Sequence, residues 1–293
     1  MTKITSVAIV GGTHGNEFSG IYLLKKWQED PTAIARPSLA CQTLFANPKA
    51  FDNNKRYLDS DLNRQFTLPD LSNSALANYE QSRAKVINQQ LGPKGDANCD
   101  FIIDLHNTTS NMGPSLILLQ SDDFNRQLGS YVSEKMPEVV VVFEDQCSVE
   151  EHGFLSSITA QGVIVEVGPQ PQSVLRQDVL EQMETMTHHI LDFVELYNTQ
   201  ALPTLNGYSA YRYKETLSLP MDEHGERIGM VHKHVQDADF KLLRQGDPIF
   251  SLFNGEEVVW QGNYDAYPHF INEAAYYDNN LAMSLAEKID ISL

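Results

Sequence analysis

The spacing of apolar positions changes repeatedly along the chain, and each change marks an element. Val7-Ala8-Ile9-Val10 is a continuous β-branched-rich run, followed at once by Gly11-Gly12-Thr13-His14-Gly15-Asn16-Glu17. This predicts a buried strand that ends in a sharp glycine turn. From Phe18 to Trp27 the apolar residues Phe18, Ile21, Tyr22, Leu24 and Trp27 fall on one helical face, and Asp30-Pro31 ends that helix. A strand is expected over Leu39 to Phe45, with a turn at Asn47-Pro48. Between Phe51 and Phe66 no period is visible, yet Tyr57, Leu58, Leu62 and Phe66 interrupt a stretch rich in Asp, Asn, Lys and Arg. Irregular segments of that length inside compact domains are commonly functional, and the apolar interruptions predict an ordered loop.

A helix is expected from about Ala75 to Leu91, with Ser72, Asn73 or Ser74 as its cap and Gly92-Pro93 as its stop. Strands are expected at Phe101 to Leu105, Ser115 to Leu119, Val139 to Phe143 and Val163 to Val167, with a helix between Asp123 and Met136. From Ser173 to Tyr197 apolar residues recur at intervals of three and four, predicting a long amphipathic helix over one face of a sheet. Alternating strands and helices define an α/β architecture with a mainly parallel or mixed sheet flanked by helices, assigned to residues 1–200. The texture changes at Ala201-Leu202-Pro203-Thr204. Beyond it come Tyr-rich β-like runs at Gly207 to Tyr213, Ile228 to His234, Pro248 to Phe253 and Val258 to Gln261, so residues 201–293 read as a smaller β-rich C-terminal domain.

Composition narrows the class. With 293 residues and 42% hydrophobic content the chain can bury a large core, and no apolar run approaches the length of a membrane span. A net charge of −18 argues against nucleic acid or an anionic membrane as a partner, since both would be repelled. The three cysteines, Cys41, Cys99 and Cys147, are odd in number and lack metal-type spacing, which fits reduced thiols in the cytoplasm. No export signal is expected at the start of the chain.

The candidate chemistry gathers at predicted strand ends. His14 and Glu17 sit three apart just after the first strand, and His106 ends the run Phe101-Ile102-Ile103-Asp104-Leu105. In open α/β sheets the carboxyl edge is where ligands bind. Two imidazoles and a carboxylate brought to that edge make the His₂Glu set of a catalytic zinc site, one Zn²⁺ per chain, with water completing the coordination. Asp104 reads either as a carboxylate that orients this site or as an ordinary buried, hydrogen-bonded aspartate. Glu166 interrupts Val163-Ile164-Val165 just before Val167-Gly168-Pro169. A carboxylate in a buried strand is costly without a partner, and a nearby Zn²⁺ would be one, so Glu166 is the candidate general base. His188, His189, His232 and His234 read as surface or structural residues.

Five ordered motifs carry a resemblance: Gly11 to Glu17, Arg56-Tyr57 through Asp61-Leu62-Asn63-Arg64, Asp104 to Gly113, Glu166 to Gln172, and Asn272 to Tyr277. Together they resemble the aspartoacylase family, within the zinc carboxypeptidase-like amidohydrolases that also include succinylglutamate desuccinylase. The resemblance implies a zinc carboxypeptidase-like α/β domain and a β-rich C-terminal domain that caps the active site. It also implies hydrolysis of a small N-acyl amino acid to a carboxylate and a free amino acid, as in N-acetyl-aspartate to acetate and aspartate. By resemblance His14, Glu17 and His106 match the zinc ligands and Glu166 the base. Arg56 matches the arginine that steadies the oxyanion, Asn63 and Arg64 the pair that holds the α-carboxylate, and Tyr276 a tyrosine entering the pocket from the C-terminal domain.

One departure bears on specificity. Strict aspartoacylases place an arginine before the catalytic Glu, and often a lysine after the Tyr-Tyr pair. Here Ser156 and Asn280 stand at those places. A desolvated β-carboxylate would lack its counter-charge, so an N-acyl aromatic or neutral amino acid acylase of the same family is the alternative. A catalytically silent zinc- or ligand-binding protein on this fold is the remoter one, disfavoured by the presence of Glu166 with all three ligands. A peptidase is a third reading, which a narrowed mouth would exclude. Assembly into a homo-oligomer is left open.

Overall fold

The computed structural model describes residues 3–293. In chain order the elements are β1 (Ser6–Gly11), α1 (Phe18–Glu29), β2 (Ala40–Phe45), α2 (Pro48–Asp52), α3 (Leu68–Ser72), α4 (Tyr79–Leu91), β3 (Phe101–Asn107), β4 (Gly113–Leu118), α5 (Asp123–Lys135), β5 (Val140–Phe143), β6 (Gln161–Gly168) and α6 (Gln177–Asn198). There follow β7 (Tyr208–Ser218), β8 (Gly229–Val231), β9 (Pro248–Leu252), β10 (Glu257–Val259), β11 (Tyr267–His269) and β12 (Leu281–Ile291). A nine-stranded sheet has the order β11-β12-β7-β5-β4-β6-β3-β1-β2, and β10-β9-β8 form a three-stranded sheet.

The large sheet is mixed. β2, β1, β3 and β6 run parallel, β4 lies antiparallel to β6, and β11, β12 and β7 pair antiparallel with one another. Alternation along its strands sorts two cores. Val7, Ile9, Phe101, Ile103, Val163 and Val165 face α1, α5 and α6, where Trp27, Leu128, Met186 and Phe193 cover them. Ala8, Val10 and Ile102 face the other way onto Ala84, Ile87 and Leu91 of α4. Helices on both faces are what buried strands of this kind require.

Several boundaries differ from the sequence expectation, each for a local reason. The helix expected from Ala75 starts at Tyr79, because Asn78 and Gln81 form a reciprocal capping box there. The helix expected from Ser173 starts at Gln177, since Ser173 holds a left-handed backbone with φ 63°. The run Ile228 to His234 shortens to β8. The texture change at residues 201–204 does not interrupt the sheet: β7 pairs in parallel with β5 through Val142–Tyr211 and Phe143–Arg212. Of the nine strands of that sheet, the sequence reading misses β11 and β12.

Candidate active site

Sheet order builds the site. β1 and β6 flank β3, and the register sets Val10 beside Asp104 and His106 beside Glu166. His14 and Glu17, on the loop leaving β1, therefore meet His106 and Glu166 at one carboxyl edge. Two glycines shape that loop. Gly12 adopts φ +69°, and a Cβ on Gly15 would lie 2.2 Å from the Phe51 backbone nitrogen. Gly15 N–H donates to the Arg56 carbonyl at 3.0 Å, tying the loop to the segment that carries Arg56.

The donor atoms of His14, Glu17 and His106 lie within 4.8 Å of one another, and all three residues are buried. His14 Nδ1 is 2.8 Å from Glu17 Oε1, His106 Nδ1 is 3.0 Å from Glu17 Oε2, and the two Nδ1 atoms are 3.2 Å apart. Both rings turn the same nitrogen inward. Each Nε2 instead meets an aspartate: His14 with Asp61 Oδ1 at 2.8 Å, His106 with Asp104 Oδ2 at 2.9 Å. Asp104 is itself held by the Thr13 hydroxyl at 2.7 Å. The Asp61 carboxylate hydrogen-bonds His14 Nε2, which fixes that ring's tautomer and leaves Nδ1 as the electron-pair donor, the arrangement expected around a metal, whereas Asp104 lies within ion-pair distance of His106 Nε2 without the angles of a hydrogen bond.

Charge follows the same pattern. Burial pushes the Glu17 carboxyl up, but His14 and His106 outweigh it and hold Glu17 well below the usual carboxylate range. Burial is likewise overcome at Asp61 by His14 and Arg56, and at His106 by Asp104 and Glu17, whose carboxylates raise the imidazole. Glu166 moves the opposite way. It is 7% exposed, lines the cavity and has no hydrogen-bond partner among the described residues. Burial, reinforced by Glu17 and Glu273, raises its carboxyl well above the ordinary range despite His106 and Arg56. A carboxyl shifted by burial beside a charged cluster is a mark of a reactive site.

The long loop supplies the cationic wall. Its backbone hangs on the fully buried Glu80 of α4, whose carboxylate accepts from the amides of Leu58, Asp59 and Ser60 at 2.8, 3.0 and 3.3 Å. Arg56 donates to Glu17 Oε1 at 2.9 Å and, through Nε and Nη2, to Asp61 Oδ2 at 3.3 and 3.2 Å. Asn63 accepts from Leu155 N–H at 2.8 Å through its side-chain oxygen. Arg64 stacks over Phe154 at 5.1 Å and lines the cavity. Tyr276 reaches the same cavity from the turn before β12, its hydroxyl 2.9 Å from Ser284 Oγ, and burial raises that hydroxyl.

The cavity has a volume of about 240 Å³, suited to a small molecule. Among the described residues Arg56 and Arg64 are the only arginines or lysines that line it, and the lining otherwise includes Ile117, Glu144, Phe154, Tyr213 and Phe270. Ser156 is fully buried and is not part of the lining. Asn280 accepts from Arg227 Nε at 2.8 Å, outside the cavity. Arg126 and Arg176 pair with Asp123 and Asp178 on the surface and do not approach.

Sequence reasoning assigns no role to Asp61, Glu80, Glu144 or Glu273. Glu273 accepts from the Thr108 hydroxyl, from Thr109 N at 2.6 Å and from Ser110 N at 3.3 Å, fastening the Tyr276 turn to the loop after β3. Asp61 and Glu273 both lie inside quoted motifs, and an acid inside a neutral or basic motif is the signal that could have found them.

A His-x-x-Glu loop and a strand-end histidine on one mixed sheet, with a loose carboxyl facing them, define a protein of the metallohydrolase type. The chain belongs to the succinylglutamate desuccinylase/aspartoacylase family: the model of that family's catalytic domain matches residues 3–194, and the AstE/AspA barrel-sandwich hybrid domain matches residues 206–288. A probable aspartoacylase of Trichodesmium erythraeum is 43% identical over 292 residues, covering 99% of each chain. The N-acyl-aromatic-L-amino acid amidohydrolase (carboxylate-forming) of Rattus norvegicus is 42% identical over 292 residues, covering 98% of this chain and 92% of that one. The crystal structure of murine aminoacylase 3 superposes with a TM-score of 0.92 at 40% identity, covering 100% of this chain and 98% of the other.

Proposed function

We propose that this chain hydrolyses the amide bond of small N-acyl amino acids, releasing a carboxylate and a free amino acid. The observation that carries the proposal is the pairing of three inward-turned donors, His14, Glu17 and His106, with the unpartnered carboxyl of Glu166 in one small cavity. Two Nδ1 atoms backed by aspartates and one carboxylate oxygen suit a divalent zinc ion, one per chain, with room for water or substrate. Held there, zinc would supply Lewis acidity and lower the pKa of water.

The protein's own groups divide the remaining work. Glu166 takes a proton from water and returns it to the leaving amine, a task that suits a carboxyl whose proton affinity burial raises. Arg56, pinned by Glu17 and Asp61, presents fixed positive charge to the oxygen that becomes negative during attack. Asn63 and Arg64 bind the α-carboxylate, Arg64 through its planar fork. Tyr276 closes the cavity from the C-terminal side. Three cysteines without a disulfide fit a reducing compartment such as the cytoplasm.

Within this reaction the cavity favours neutral or aromatic side chains over aspartate. Both arginines of the lining already have work, and Glu144, Phe154, Tyr213 and Phe270 offer no counter-charge to a β-carboxylate. The test is a panel of N-acetyl amino acids with the zinc-loaded protein. N-acetyl-aspartate should not be greatly preferred over N-acetyl-phenylalanine, and substrates with an amidated α-carboxylate should fail. A preference for N-acetyl-aspartate of ~10⁴ or more, the margin of a well-built polar site, would refute the side-chain reading. No turnover of any member would refute the function.

A further inference from the structure

Lys94 follows α4 just beyond Gly92-Pro93, and its side chain turns into the protein, leaving it 6% exposed. Nζ donates to the carbonyl of Phe66 at 2.9 Å, to the carbonyl of His152 at 2.6 Å and to Ser157 Oγ at 2.8 Å. All three ammonium hydrogens are thereby used, and no carboxylate lies within ion-pair distance among the described residues. Burial lowers this ammonium to about 8, opposed by the more distant Glu150 and Cys147. A buried charge of this kind is tolerated only where its hydrogen bonds are complete, and its removal would strand two carbonyls.

The acceptors lie on two different segments, residues 62–66 and residues 152–157. The first carries Asn63 and Arg64, the second Phe154. Between them run only a few other ties: Phe66 N–H to the Gly153 carbonyl at 3.2 Å, Leu155 N–H to Asn63 Oδ1 at 2.8 Å, and the Arg64 guanidinium over the Phe154 ring. Asn63 and Arg64 of the first segment and Phe154 of the second all line the cavity that also contains His14, Glu17 and His106.

We propose that Lys94 is a positioning residue for substrate binding: it clamps the segment bearing Asn63 and Arg64 to the segment bearing Phe154 and so holds the carboxylate-binding end of the cavity in place. The assignment of that end to the α-carboxylate rests on the function proposed above, whereas the clamp rests on the three hydrogen bonds. Lys94 touches no reacting atom, so its loss should act on binding rather than on the chemical step.

The test combines amide hydrogen exchange with steady-state kinetics on metal-loaded Lys94→Met. Exchange in residues 62–66 and 152–157 should rise together by about tenfold or more, with β3 and β6 unchanged, as for one locally opening unit. KM for N-acetyl amino acids should rise by about tenfold while kcat stays within about threefold. Lys94→Gln, whose amide can serve some but not all of the acceptors, should fall between. Unchanged exchange in both segments, or a loss confined to kcat, would overturn the proposal. If neither variant folds, the unmodified protein decides: the Phe66 and Leu155 amides should share one protection factor, and a difference beyond about tenfold would overturn the clamp. If both segments loosen in Lys94→Met but the unmodified protein hydrolyses no N-acyl amino acid, the clamp stands and the proposed function falls.

Discussion

Asp61→Asn tests whether the outer carboxylates matter as much as the inner cluster. Asp61 Oδ1 serves both His14 Nε2 at 2.8 Å and the Asn63 amide at 2.9 Å, while Oδ2 serves Arg56 Nε and Nη2 at 3.3 and 3.2 Å. An asparagine can satisfy only half of this. With its oxygen towards His14, the amide NH₂ faces the Arg56 guanidinium, donor against donor. With the amide reversed, NH₂ faces His14 Nε2, which must then accept, and the ring proton moves to Nδ1, the atom turned towards Glu17 and His106. Either orientation forfeits a charge-assisted hydrogen bond of about 1.5–3 kcal/mol. Metal affinity should therefore fall about 10- to 100-fold, the usual effect of removing an outer carboxylate, which corresponds to roughly 1.4–2.7 kcal/mol. Competition against a chromophoric chelator at neutral pH measures this directly. Affinity within about twofold of the unmodified protein would show that Asp61 does not orient His14 for binding.

Three further outcomes are expected. Glu166→Gln keeps the shape and removes proton transfer, so kcat should drop at least ~10²-fold with metal retained, and near-normal turnover would move the base elsewhere. The purified protein should carry about one zinc per chain, and undiminished zinc in a His14→Ala, His106→Ala double variant would sink the ligand assignment. Asp239 is buried, with Oδ1 accepting from Ile271 N at 3.2 Å and Oδ2 unpartnered among the described residues, and burial raises its carboxyl to about 7. Because the folded state then holds a proton that the unfolded chain releases near pH 4, stability should decline as pH rises from about 4 to about 7, and the full penalty should be present above that. Asp239→Asn should raise the unfolding free energy at pH 8 by on the order of 2–4 kcal/mol and change it little at pH 4; an equal gain at both pH values would contradict this.

The two halves of the chain differ in how much their sequence discloses. Buried parallel strands are legible because both faces are covered, so Val7–Val10, Phe101–Ile103 and Val163–Val165 appear as unbroken apolar runs. Strand ends are legible for the same reason: a histidine or glutamate that interrupts such a run is conspicuous. β12 is not legible in that way. Its Leu281–Ile291 stretch is buried at one end and half-exposed at the other, and its pairing with β7 depends on residues some seventy positions away. Glu80 is hidden for a different reason. It occupies an ordinary first-turn position of a helix, and only the folded loop reveals three amides converging on it. Capping at Asn78 rather than Ser72 turns on a reciprocal Gln81 contact that competing Ser and Asn residues nearby obscure.

The pairing of β5 with β7 has a consequence for how the molecule can be divided. A fragment ending near residue 200 would keep His14, Glu17, His106 and Glu166, yet it would leave Val140–Phe143 as a bare apolar edge and remove Glu273 from its bonds to Thr108, Thr109 and Ser110. Such an unpaired edge is a template for intermolecular pairing. The fragment should self-associate, and the loop between β3 and β4 should lose its anchor, so the C-terminal third acts as a strand donor to the sheet and cannot be treated as a detachable lid.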